Sequence, residues 1–329
     1  MKEEDDAVTG ILSDFVYSIN VILPILLLIL LGALLKRLGF VTDSFCSVAD
    51  KLIFKIALPA MLFLDVATAS VSSAPETSLL LFILLSVTAA FLLSSFVVPI
   101  FVKDRAKCGA FVQGICRSNF AILGIPLLNG MFGEAGSLAA AVVIPPIILM
   151  FNAYSVIVLS VFAPKDKQLT PLQLCRRIVL NVVTNPLIIA VLIGLPFMLF
   201  GWELPLTVSK TAGYLDGLVT PLALISLGAS TSAKDIRSNF RMATIAAGIK
   251  TVLFPAIACT LGALIGLRGV SLGIILILFG APTAVSSYVM AKNMGSDHDL
   301  AGQILLFTTS VCVFTVFIGI FILKRLCLI

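Results

Sequence analysis

Charge is scarce in this chain. Of its 329 residues only 12% are Asp, Glu, Lys or Arg, while 60% are apolar, and the mean hydropathy is +1.15. Ordinary soluble domains carry about a quarter charged residues, so a water-facing surface cannot be assembled and a soluble enzyme of this size is excluded. Histidine is nearly missing: His298, in Asp297-His298-Asp299, has no second histidine to share a metal with. The seven cysteines show no CxxC pair or framework spacing and read as small buried hydrophobes. No GxxxxGK[ST] phosphate loop, HExxH or GxSxG occurs. ATP-driven pumping and the commoner hydrolytic sites therefore lack their parts. No nucleophile–base or metal set can be assembled, so no enzyme activity and no cofactor are expected. The acidic opening MKEEDDAVTG precedes the first apolar run, the wrong order for a cleavable leader.

What is present is apolar runs of bilayer length. A crossing takes about 20 residues, and ten candidates fit: approximately 20–35, 47–66, 78–101, 109–130, 138–162, 178–200, 207–228, 243–265, 270–291 and 301–323. The fold class is thus an all-α polytopic membrane protein of ten transmembrane helices. With ten spans, 13 Lys and Arg fall in the odd-numbered loops and 5 on the other side. The positive-inside rule makes the odd loops cytoplasmic, places both termini outside, and reads the net charge of +5 as orientation, not as nucleic-acid binding. The expected location is the plasma (inner) membrane. Pro24-x7-Gly32 recurs as Pro186-x7-Gly194, 162 residues on, and Pro59 meets Pro221 at the same offset. The expected divisions are an external tail (1–19), a first five-helix repeat (20–162), a cytoplasmic connector (163–177), a second repeat (178–323) and a C-terminal tail (324–329). Five spans is odd, so the second repeat enters inverted, an architecture of secondary transporters.

The fourth and ninth spans carry Gly124-Ile125-Pro126 and Gly280-Ala281-Pro282, 156 residues apart. Proline removes an amide donor and crowds the preceding turn, so both helices are expected to break there, cross, and turn polar backbone toward a substrate. Arg117 interrupts the fourth span. A guanidinium inside a bilayer is costly unless it faces a wet cavity or a partner, and its planar fork suits a carboxylate. Binding an organic anion, pairing with Asp216 and snorkelling to the headgroups all remain open. Asn119 follows two residues on, and Thr283, Ser286 and Tyr288 follow the ninth-span break as hydrogen-bonding candidates. Asp216 is an intramembrane proton-carrier candidate. Lys51 and Lys55 are expected to reach the cytoplasmic interface, Lys250 to do the same, and Asp65 to sit at the outer boundary.

The sequence resembles the auxin efflux carrier family, which includes plant auxin exporters and bacterial malate-type permeases. The resemblance rests on Leu58-Pro59-x-x-x-Phe63, Arg117-x-Asn119-x4-Gly124-Ile125-Pro126, Asn185-Pro186-Leu187-Ile188-Ile189-Ala190-x3-Gly194, Pro221-Leu222-Ala223-Leu224-x3-Gly228 and Ala281-Pro282-x5-Tyr288-x2-Ala291. It implies a five-plus-five inverted-repeat carrier with spans four and nine crossing at Asn119, Pro126 and Pro282. Spans one, two, six and seven would form a scaffold, and the other six an elevator-like transport unit. The implied cargo is a small carboxylate-bearing anion. The plan accommodates a homodimer in the lipid bilayer. Arg117 and the short connector favour the prokaryotic organic-acid branch over an auxin exporter. A bile acid:sodium symporter-like carrier is the alternative, and an anion channel with Arg117 as selectivity ring a further one.

Overall fold

The computed structural model describes residues 23–68, 77–164, 176, 179–231 and 233–329, and every regular element among them is helical. In chain order, α1 covers 23–37. A rod follows from α2 (Asp43–Leu52) through a π turn (Ile53–Ala57) to α3 (Leu58–Ala67). Next come α4 (Thr77–Phe101), the half-helices α5 (Arg105–Cys116) and α6 (Phe120–Phe132), and α7 (Glu134–Val161). One helical turn at 179–183, α8, leads to α9 (Pro186–Phe200) and α10 (Leu206–Ser230). A second composite rod joins α11 (Ala233–Gly248), a π turn (Ile249–Leu253) and α12 (Phe254–Leu264). The half-helices α13 (Gly269–Gly280) and α14 (Ser286–Asn293) precede α15 (His298–Arg325).

Among the described residues, five helices are long and apolar enough to cross a bilayer: α4, α7, α10, the Arg237–Leu264 rod and α15. They fall on the predicted spans at 78–101, 138–162, 207–228, 243–265 and 301–323. The other five predicted spans coincide with shorter or interrupted helices, namely α1, α2–α3, α5–α6, α8–α9 and α13–α14. The predicted outer tail and most of the connector lie outside the described residues.

Helix α4 shows why the surroundings must be lipid. Its buried residues, Leu79, Ile83, Val87, Phe91, Ser94 and Val98, form a single stripe at helical spacing. The opposite face exposes Leu81, Leu85, Leu92, Leu93, Phe96, Val97, Ile100 and Phe101. Large apolar side chains left in water forgo about 1.5–3 kcal/mol each. This face alone would consume on the order of 10–20 kcal/mol, as much as the whole stability of a typical domain. A helix apolar all round belongs in a bilayer.

Two apolar cores divide the molecule. The larger draws on α4–α7, α11–α13 and α15, with Ala291 of α14, and takes nothing from α1–α3, α9 or α10. The second joins α1, the α2–α3 rod, α9 and α10, and meets the first group through Val156, Leu159, Val285, Tyr288, Val289, Met290 and Leu305.

Close backbone approach ties the second group together. A Cβ added at Gly32 of α1 would stand 2.2 Å from the Ile225 carbonyl oxygen of α10, and one at Gly194 of α9 would stand 3.1 Å from that of Phe63 in α3. Small residues permit such contact between membrane helices. The two glycines are 162 residues apart, and so are the two carbonyls they meet. The half-helices keep a similar register. Helices α5 and α13 have 12 residues each and begin 164 positions apart, at 105 and 269. Helices α7 and α15 have 28 each and also begin 164 apart, at 134 and 298.

Each π turn precedes a proline. The Leu58 N–H reaches the Ile53 carbonyl and the Phe254 N–H the Ile249 carbonyl, five residues back, just before Pro59 and Pro255. Proline cannot donate and crowds the carbonyl four residues behind it; a widened turn accommodates both effects.

Candidate functional site

The fourth-span break differs in place from the sequence expectation. It falls at Arg117-Ser118-Asn119, and Gly124 and Pro126 lie inside α6. Arg117 caps α5 in an extended conformation (φ −74, ψ 141) and Asn119 stands at φ −88, ψ 39. In the ninth span the break does sit at the proline. Ala281 is extended (φ −62, ψ 152), as the residue before a proline prefers, and helix resumes at Ser286. The two breaks therefore lie about 164 residues apart, not 156, within two residues of the 162 that separates the paired glycine contacts.

The two breaks touch. The Asn119 amide donates to the Pro282 carbonyl at 2.8 Å. Thr283 hydroxyl donates to the Gly114 carbonyl at 2.5 Å, and its amide to Thr308 Oγ1 at 3.2 Å. The Asn119 amide and the Gly114 carbonyl are thus met by the other interrupted segment, and the Thr283 amide by α15, as an apolar medium requires.

Beside this contact lies a cavity of about 240 Å³ lined by Arg117, Ser118, Asn119, Asn152, Ser286, Asp65 and Asp216 among apolar residues such as Ile147 and Phe151. Arg117 is buried. Its Nη2 donates to Asn152 Oδ1 (2.8 Å) and Ser286 Oγ (2.7 Å), and its Nη1 to Met290 Sδ (2.8 Å). Asn152 is itself held, its Nδ2 donating to the Ile148 carbonyl at 2.8 Å. A guanidinium has five N–H donors, so this clamp fixes the plane and leaves donors for a ligand. Ser118 Oγ and Asn119 Nδ2 are shut from solvent and have no partner among the described residues. Buried polar groups are nearly always satisfied, which makes these two, on the cavity wall, the strongest mark of a ligand position.

The sequence candidates divide accordingly. Arg117, Asn119, Ser286 and Asp216 line the cavity. The irregular winding at 117–119 lets Arg117 and Asn119 share it, which a continuous helix would not. Gly124, Pro126, Gly280, Pro282, Thr283 and Tyr288 are not among the lining residues. Gly124 abuts the Phe120 ring, Gly280 ends α13 against Val316, and Pro282 and Thr283 are engaged in the break contact. Tyr288 points to a different junction: Lys292 Nζ donates to its hydroxyl at 3.1 Å and pairs with buried Asp50 of α2 at 2.5 Å. Asp216 forms no ion pair with Arg117, and Lys250 is fully buried instead of reaching the interface. Sequence reasoning missed Ser118, Asn152 and the role of Asp65. Asn152 carried a usable signal, being an amide inside an apolar span.

A helical membrane protein with a polar site between broken helices is the class this arrangement defines. Residues 17–320 match the family described as Membrane transport protein, and the chain belongs to it, the auxin efflux carrier family. An uncharacterized transporter of Methanothermobacter thermautotrophicus is 25% identical over 300 residues, covering 90% of this chain and 95% of that protein. A protein of Rhizobium meliloti named "Putative malonate transporter" is 24% identical over 306 residues, covering 90% and 93%. Auxin efflux carrier component 1 of Arabidopsis thaliana is 26% identical over 152 residues, covering 43% of this chain and 24% of that protein.

Proposed function

We propose that this chain is a secondary transporter of a small organic carboxylate anion, which it carries across the plasma membrane by alternating access. The observation that carries the reading is Arg117, buried and clamped at the contact of two helix breaks, beside two polar groups without partners among the described residues. One substrate carboxylate would take the open guanidinium donors, with Asn119 and Ser118 completing its shell. The cavity, at about 240 Å³, is below the 300–1,000 Å³ typical of pockets for drug-sized ligands, which favours a dicarboxylate of malonate size.

The architecture we infer is ten crossings in two inverted repeats, 20–162 and 178–323, with both termini outside. The paired glycine contacts and the equal half-helices at an offset of 162–164 support it. The division into two cores supports a scaffold of spans one, two, six and seven, against which the remaining six move as a unit. Labelled-malonate counterflow in proteoliposomes tests the function. A carrier accelerates uptake when unlabelled malonate is inside; equal uptake with and without it would indicate a channel, and no uptake would refute the substrate class.

A further inference from the structure

Lys250 is used by nothing described so far. It is the fourteenth residue of the 28-residue Arg237–Leu264 span, is fully buried, and its ammonium nitrogen has no acceptor among the described residues. Lys55, in the other π turn, is exposed. The π turn before Pro255 instead directs Lys250 into the larger core, where its turn packs against α5, α13 and α15. An unpaired charge at mid-membrane is expensive, and residues of this kind mark ion pathways. An amine holds or releases one proton, so a lysine placed here can serve such a pathway. Few groups compete with it. Helix α13 has no titratable residue, and at this depth α5, α12 and α15 contribute only the thiols Cys116, Cys259 and Cys312. Cys116, the last residue of α5, immediately precedes Arg117, and α5 packs against the turn that carries Lys250.

We propose that Lys250 is a proton-binding site that couples anion movement to proton movement; this rests on the anion-carrier reading above. With the site empty, the apolar surroundings oppose a charge on Lys250. A dicarboxylate seated on Arg117, which follows the end of the α5 helix packed against this turn, brings net negative charge to that side, so the Lys250 lone pair takes a proton from water on the loading side, forming an N–H bond. When the anion leaves on the other side, the same bond breaks and the proton passes to water there. Linkage is reciprocal: anion binding favours the ammonium, and lower pH favours anion binding, by up to about tenfold per pH unit for one linked proton.

The test is proteoliposomes holding a pH dye, with malonate added outside. Wild type is expected to acidify the lumen as malonate enters, and its malonate affinity to rise toward the tenfold limit as pH falls by one unit. Lys250→Met is expected to exchange labelled malonate, with lower affinity, but to bring in no protons and to show less than a twofold change per pH unit. Should that variant not fold, Lys250→Arg, which keeps a cation that cannot release its proton, reads the same point. Malonate exchange without proton entry in wild type would overturn the proposal alone. So would proton entry persisting in the Lys250 variants, or lost instead in Asp216→Asn. Absence of any malonate exchange by wild type would refute the anion reading and this proposal with it.

Discussion

Arg117-Ser118-Asn119 and Ala281–Val285 each follow a half-helix of 12 residues and meet through one backbone hydrogen bond, but they use different chemistry. The second break is made by a proline step, and the polar groups of Pro282 and Thr283 are spent inside the protein, on Asn119, Gly114 and Thr308. No proline stands at the first. It is held open by Arg117, whose guanidinium is bound by Asn152, Ser286 and Met290, and it leaves Ser118 Oγ and Asn119 Nδ2 unmet. One break therefore props the site and the other supplies it. The two breaks are alike in place, and only the first carries a charge.

Substitutions in the two breaks should separate those roles. The largest effect is expected for Arg117→Gln. Removing a buried, hydrogen-bonded partner of a ligand charge costs about 2–5 kcal/mol, so malonate uptake in proteoliposomes should fall at least about 30-fold while the purified protein melts within a few degrees of wild type. Asn119→Ala removes one neutral donor, worth about 0.5–1.5 kcal/mol, and should raise KM several-fold with little change in maximal rate. Thr283→Val, in the propping break, should leave KM unchanged and lower thermal stability, by about 1 kcal/mol for the lost hydrogen bond to Gly114. Tyr288→Phe should change transport least, within about twofold, because Tyr288 packs toward Lys292 and Asp50 and not on the cavity. A Thr283 variant that changed KM as Asn119→Ala does would erase the distinction between the breaks.

The sequence made part of this visible. Arg117 and Asn119 stood out because charge and amide are rare in apolar runs, and Pro282 marks its own break. The first break was misplaced because Gly124-Ile125-Pro126 looks like the second one. Pro126 is instead carried within α6, as membrane helices can carry proline, and the interruption seven residues earlier depends on side-chain contacts from α7 and α14 that no local pattern reveals. Asp65, Asn152 and Asp216 come from three separate helices, so their convergence is a property of packing. Lys250 was misread for a related reason: its π turn follows from Pro255, but which way the turn directs the side chain depends on neighbours far along the chain.

The central claim is that the charged break holds the substrate anion. A structure of the full chain determined with malonate bound tests it most directly. The account predicts a carboxylate within hydrogen-bonding distance of the Arg117 guanidinium, with Asn119 and Ser118 turned toward it. Malonate seated at the Pro282–Thr283 break or at Tyr288, with Arg117 contacting only Asn152, Ser286 and Met290, would contradict it.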